Sequence, residues 1–362
     1  MKNDYYFHGS DIEKIKEKYK IKNEEIINFA ANVNPLGISP QLKAELSNHM
    51  DIITTYPDRN YTSLKKSIAD YVGTNTENIL VGNGTSELIS LFIEIINPKK
   101  AMIIGPTYSE YERKVTLMGG NAYYFPLHED EDFKLEADCL IDKLDRSIDM
   151  LIMCNPNNPT SSCVDLVTIR KILDACKENH IYVLIDETYI EFVTSIEAYS
   201  AVSLSEYYNN VIILRSTSKF FASPGLRLGY AIIGNTDLIS KINQSKNPWM
   251  INSIAAKAGE IMFADSKYIK DTSDLINKER DFMYNAFLAT DGFKPYKPYA
   301  NFMLVKINKL DITSKDIFEG AINNRLLIRD CSTFPFLNNN YFRFCFMEHE
   351  DNLKLLDCIR SI

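Results

Sequence analysis

Lys219 closes the segment RSTSK directly after the apolar run NVIIL. Most lysines are solvated ammonium groups, but one held among apolar and cationic neighbours loses its proton more easily and becomes a Schiff-base nucleophile. A cation does follow, Arg227 in ASPGLRLGY. Upstream, Asp186 ends the run HIYVLID and Tyr189 follows three residues later. A carboxylate at the end of an apolar run is either a helix cap or ion-pair partner, or it faces a crevice, where it can keep a heterocyclic nitrogen protonated. The segment Gly82-Asn83-Gly84-Thr85-Ser86-Glu87 offers backbone N–H groups and a helix start, which is an anion cradle or an ordinary tight turn. A dinucleotide-binding loop is excluded. Glu87 replaces the third glycine, and the next apolar run ends in Ile104-Gly105 without the acid that would hold a ribose.

These residues need elements to position them. Apolar runs at ENILVG, KKAMIIG, DMLIMC, HIYVLID and NVIILR predict strands, separated by helical patterns such as SELISLFIEII and CVDLVTIRKILDACKEN. In the latter, Leu166, Ile169, Ile172, Leu173 and Cys176 share one face. This alternation predicts a mostly parallel α/β sheet. GNGTSE, GPTYSEY, CNPNNPT, IDETY and RSTSK then all fall at carboxyl ends of strands, where open α/β sheets bind ligands. Past residue 260 the texture changes to a long charged helix, strands at NFMLVKI and YFRFCF, and a closing helix DNLKLLDCIRSI, a smaller α+β unit. Alternation in YFRFCF sets Phe342, Phe344 and Phe346 on one face and Arg343 on the other, where the guanidinium wants an anion or a structural ion-pair partner. Ser10 to Glu13 fits a capping box before a short helical arm. The expected division is an arm with part of the small domain over 1–40, a large domain over 41–255 and a small domain over 256–362.

Composition narrows the functional classes. The 362 residues carry 40 Lys and Arg against 48 Asp and Glu, a net charge of −8, so no global basic field invites nucleic acid or an anionic membrane. Seven cysteines without a CxxC pair argue against a zinc knuckle or a disulfide framework, and no metal site is expected. With no run of 18 apolar residues and no signal-like start, the expected location is cytoplasmic.

Asn158, Asp186, Tyr189, Lys219 and Arg227, taken in order and spacing, resemble the pyridoxal-phosphate enzymes of fold type I, the aminotransferase class I/II family. The likeness runs from AANVNPLG at 30–37 through YPD at 56–58 to YFRF at 341–344. It implies an aminotransferase-like fold with a large mostly parallel domain and a smaller α+β domain, and pyridoxal 5'-phosphate as cofactor. Lys219 would hold the cofactor aldehyde as an internal aldimine and later move protons. Asp186 would keep the pyridine nitrogen protonated. Asn158 and Tyr189 would bond the ring hydroxyl oxygen, Tyr189 counting with Lys219 and Asp186 as catalytic, while Tyr108 would stack on the ring. Thr85, Ser86, Ser216, Ser218 and Arg227 would hold the cofactor phosphate. Tyr56 would reach the phosphate of a neighbouring subunit, which implies a homodimer with shared sites.

Within the family the chain is most similar to the threonine-phosphate decarboxylases, through His8-Gly9, LRSTSKFFASPGLRLGY, NPWMIN and LLIRDCSTFPFL, with the histidinol-phosphate aminotransferases as neighbours. That likeness implies a small O-phosphorylated amino acid as substrate, its carboxylate held by Arg343 and Asn32 and its phosphate by Arg329 and His8. It departs from the pattern at Ser10 and Ser161, where relatives usually have glycine, at Tyr189, where decarboxylases carry Phe, and at Met347, where an arginine is usual. The expected reaction is decarboxylation, with amino transfer to a 2-oxo acid as the alternative. A sensor that keeps this fold beside a DNA-binding unit would need a basic winged-helix segment ahead of the family pattern, which begins within the first 40 residues.

Overall fold

A computed structural model of the chain describes residues 12–21 and 26–362. His8 and the capping position Ser10 lie outside the described residues. The helix expected behind that cap is present as α1 (Ile12–Tyr19), with Ile15 buried and Tyr19 packed on Phe318 of the smaller unit.

Seven strands form the larger sheet: β1 (Ile79–Gly82), β2 (Lys100–Gly105), β3 (Asn121–Pro126), β4 (Met150–Cys154), β5 (Tyr182–Asp186), β6 (Val211–Ser216) and β7 (Gly229–Ile233). Their order across the sheet is β1-β7-β6-β5-β4-β2-β3. All neighbours are parallel except β7, which runs antiparallel to both β1 and β6. Strands covered on both faces read as near-continuous hydrophobic runs, which is why β4 is unbroken and β6 is apolar as far as Leu214. Leu184, Ile212, Leu214 and Ala231 point to one layer with Leu88, Phe92 and Ile93, while Val183, Ile185, Val211 and Ile213 point to the other with Ile169, Ile172 and Leu173. The helix carrying those last three residues starts at Leu166, because the side chain of Asp165 accepts from the Thr168 amide and caps it there.

The smaller antiparallel sheet holds β8 (Phe293–Pro295), β9 (Phe302–Ile307), β10 (Arg329–Asp330) and β11 (Tyr341–Cys345), in the order β10-β11-β9-β8. Phe342, Phe344 and Phe346 are fully buried there, as the alternation in β11 predicts. The 23-residue helix Ser266–Leu288 and the closing helix His349–Ser361 pack on this part, the latter starting two residues before DNLK. Ser161 adopts φ 58°, a conformation natural to glycine. Its hydroxyl nonetheless does work a glycine lacks, accepting from the amides of Tyr299 and Ala300 at 3.1 and 2.9 Å. All seven cysteines are unpaired thiols, and among the described residues no helix is long and apolar enough to cross a membrane.

Candidate active site

The carboxyl ends of β1, β2, β4, β5 and β6 surround a cavity of about 680 Å³. From the larger sheet it is lined by Thr85, Ser86, Tyr108, Asn158, Asp186, Tyr189, Ser216, Ser218, Lys219 and Arg227, and from the smaller sheet by Arg329 and Arg343. Twelve residues singled out from the sequence thus meet in one place. Asn32 stands just behind, donating to the Tyr189 hydroxyl at 3.4 Å. Tyr56 lies apart, 78% exposed, with its ring 4.6 Å from that of Trp249.

Among the described residues, Asp186 is buried without a salt bridge or a helix to cap. The ion pair available at this strand end belongs to its neighbour Glu187, which receives the buried Arg215 at 3.0 Å. Asp186 instead accepts from the Tyr111 hydroxyl at 2.7 Å and the Thr188 amide at 2.9 Å. Burial pushes its pKa up, and these bonds pull against that shift. A buried acid spared by any fixed cation suits the protonated nitrogen of a heterocycle.

Lys219 donates to the Ala31 carbonyl at 2.6 Å. Burial, reinforced by the charges of Arg343 and Arg227, lowers its pKa from 10.5 to about 8. At neutral pH a useful fraction of such an amine is unprotonated and nucleophilic. Across the cavity, the helix Thr85–Ile96 begins at Gly84 with no side-chain cap on its first turn, and Glu87 turns back to accept from the Asn83 amide at 2.6 Å. Gly84 has φ +80°, and a Cβ there would meet Nη2 of Arg227 at 2.3 Å. Uncapped amides, an adjacent guanidinium and the hydroxyls of Ser216 and Ser218, 3.0 Å apart, make an anion cradle instead of a plain turn. The donors fit pyridoxal phosphate: an amine for the aldehyde, an acid for the ring nitrogen, an aromatic face and a phosphate seat.

Arg343 is buried and donates to the Ala30 carbonyl at 2.7 Å and to the Asn158 side chain. Its Nε has no partner among the described residues. An orphaned buried donor on a cation is costly unless a ligand satisfies it, which favours a bound anion over a structural ion pair. Arg329 sits directly opposite Arg343 in the register of β10 and β11 and donates to Thr333 at 2.9 Å. Sequence reasoning missed Tyr111, which lies in the first turn of the helix that follows Tyr108 and meets that ring edge-on. It also missed the cavity wall of Ile12, Phe334 and Pro335, whose apolar types give no chemical signal.

Residues 24–359 match the family described as aminotransferase class I and II. The chain belongs to that family. It is 37% identical, over 92% of its own length and 89% of the relative's, to a protein of Caldanaerobacter subterraneus subsp. tengcongensis provisionally named as a threonine-phosphate decarboxylase. To the threonine-phosphate decarboxylase of Salmonella typhimurium it is 30% identical over 98% and 96% of the two chains. Among solved structures, the histidinol-phosphate aminotransferase of Clostridium acetobutylicum superposes with a TM-score of 0.86 at 30% identity, covering 92% of this chain and 98% of that one. The histidinol-phosphate aminotransferase of Sinorhizobium meliloti, solved in complex with pyridoxal-5'-phosphate, has a TM-score of 0.85 at 20% identity, covering 96% and 93%. These likenesses bear out the aminotransferase-like fold.

Proposed function

We propose that this chain is a pyridoxal-phosphate-dependent decarboxylase of a small O-phosphorylated amino acid, releasing CO2 and a phosphorylated amine. The observation that carries the reading is the pair of arginines at one register position: Arg329 and Arg343 face each other across β10 and β11 and both line the cavity that holds Lys219. Side chains directly opposite in an antiparallel pair point to the same face, with Cα atoms about 5 Å apart. Two guanidiniums so close suit one small ligand with two anionic ends, a carboxylate and a phosphate. The named relatives include enzymes of that kind.

Pyridoxal phosphate, when bound, supplies an aldehyde for the substrate amine and a cationic ring that accepts the electron pair freed at Cα. The chain's residues do the rest. Asp186 would keep the ring nitrogen cationic, and the Gly84 turn with Arg227, Ser216 and Ser218 would hold the phosphate. Asn158 and Tyr189 would bond the ring hydroxyl oxygen, and Tyr108 would stack on the ring. Arg343, steadied by Asn158 and Ala30, holds the substrate carboxylate, while Arg329 holds the substrate phosphate away from the reacting carbon. Lys219 Nζ, with its lowered pKa, delivers the proton that replaces CO2 at Cα. The exposed pair Tyr56 and Trp249 is assigned to a second copy of the chain, with Tyr56 directed to its cofactor phosphate.

The test uses protein loaded with pyridoxal phosphate and O-phospho-L-threonine labelled in its carboxylate. The expected result is labelled CO2 with an equal amount of phosphorylated amine. A 2-oxo product formed only when 2-oxoglutarate is added, without CO2, would establish amino transfer instead.

A further inference from the structure

Tyr111, on the helix Glu110–Leu117, is fully buried and takes no part in the roles assigned above. Its hydroxyl donates to Asp186 Oδ2 at 2.7 Å. Its ring meets that of Tyr108 edge-on, with centroids 5.6 Å apart and planes at 88°. Two of the groups it touches are the acid meant for the ring nitrogen and the aromatic meant for the ring face. Both line the cavity, and Tyr111 lines it with them.

We infer that Tyr111 is a positioning residue for the cofactor ring, aiming the Asp186 carboxylate through its hydroxyl and fixing the stacking Tyr108 through its ring edge. The inference rests on the proposed pyridoxal-phosphate reading for its functional meaning, but its geometry stands without it.

An acid in water is held by many exchanging donors, whereas among the described residues Asp186 is held from two, Tyr111 through its hydroxyl on Oδ2 and Thr188, whose amide bonds Oδ1. The second comes from its own chain two residues on and moves with it. Tyr111 is therefore the only one of the two that ties the carboxylate to a different element. A hydrogen bond to the charged form also favours that form, and here it opposes burial. The titratable groups around Asp186 are Tyr111, Cys154, Tyr108 and Tyr189. Burial pushes the pKa of each of the four up, so all are neutral at pH 7 and none adds a charge to the hydrogen bond that Tyr111 supplies.

The experiment is Tyr111→Phe, which keeps the ring edge against Tyr108 and removes only the hydroxyl. The first readout needs no cofactor. With aspartate labelled at the carboxyl carbon and the Asp186 signal identified by its loss in Asp186→Asn, the NMR titration of Asp186 should move to higher pH in Tyr111→Phe. An unmoved titration overturns the inference. The second readout is pyridoxal phosphate affinity of the cofactor-free protein, expected to weaken about tenfold, the scale of one hydrogen bond to a charged group. Unchanged affinity would also overturn it. If Tyr111→Phe does not fold, 3-fluorotyrosine at position 111, a stronger donor, should move the Asp186 titration to lower pH, and no movement overturns the inference. Failure of the unaltered protein to bind pyridoxal phosphate would refute the proposed function, while the carboxyl titration would still decide the role of Tyr111.

Discussion

Replacing Lys219 by methionine tests the electrostatic state of the site without any substrate. Burial and the charges of Arg343 and Arg227 disfavour the charged amine in the folded chain, and its pKa falls from 10.5 to about 8. Below pH 8 folded and unfolded chains both carry the proton, and the folded state bears the full cost of holding it. Between pH 8 and 10.5 the folded chain releases the proton first, so stability rises with pH across that window. At roughly 1.4 kcal/mol per pH unit the cost near neutrality is about 3 kcal/mol. Losing the hydrogen bond to Ala31 offsets about 1 kcal/mol of the gain on substitution. Cofactor-free Lys219→Met should therefore be more stable than the unaltered protein by about 2 kcal/mol at pH 7. With unfolding entropy near 2 cal/mol/K per residue, that is a rise in Tm of about 3 °C for a chain of this length. Thermal melts of both proteins at pH 7 and pH 10 provide the assay. The gain should be present at pH 7 and gone by pH 10. A difference in Tm that does not change with pH would refute the argument that Lys219 is a desolvated cation.

Arg343→Leu should raise KM for O-phospho-L-threonine by about two orders of magnitude, because a charge-assisted carboxylate fork is lost, and steady-state kinetics measures it. Asp186→Asn should weaken pyridoxal phosphate binding at least about tenfold in an equilibrium titration, since the ring nitrogen loses its anionic partner. Gly84→Ala should weaken the same binding and lower Tm, because the added Cβ drives into the Arg227 guanidinium at a φ of +80°, and both are read on one protein sample. Glu129 accepts from Lys306 at 2.8 Å and from Tyr296 at 2.9 Å, which holds its carboxyl below the usual glutamate range. Its contribution is complete above that range and lost as pH falls through the lowered value, so Glu129→Gln should melt slightly lower than the unaltered protein at pH 7, and calorimetry should show the difference shrinking as the pH is brought down through the acid range.

Much of the site was legible because each chemical residue follows a strand whose both faces are buried. Asp186 ends an unbroken apolar run, Lys219 closes the polar segment that follows another, and polarity at the end of a buried strand has few structural uses. Strand β7 was not legible: GYAII is as apolar as its neighbours, but it enters antiparallel between β1 and β6, and no local feature of five residues reports direction. Strand β3 was hidden for a different reason, since its burial alternates at the sheet edge and it ends in proline. Tyr111 escaped notice because a buried phenol on an amphipathic helix has the sequence pattern of core packing, and only the 2.7 Å approach to Asp186 separates the two roles. Ser161 looked like a mild variation in a turn, because a residue's torsion and its bonds to amides 138 and 139 positions away leave no trace in its neighbours.

That serine carries a practical consequence for anyone redesigning this protein toward the average of its relatives. A glycine at position 161 would sit more comfortably in its own torsion, yet it would strip the acceptor from the Ala300 amide, on the approach to β9, and leave the Tyr299 amide only the backbone carbonyl of residue 161. Such a swap would loosen the seam between the two sheets, and with it the footing of the strand beside Arg343.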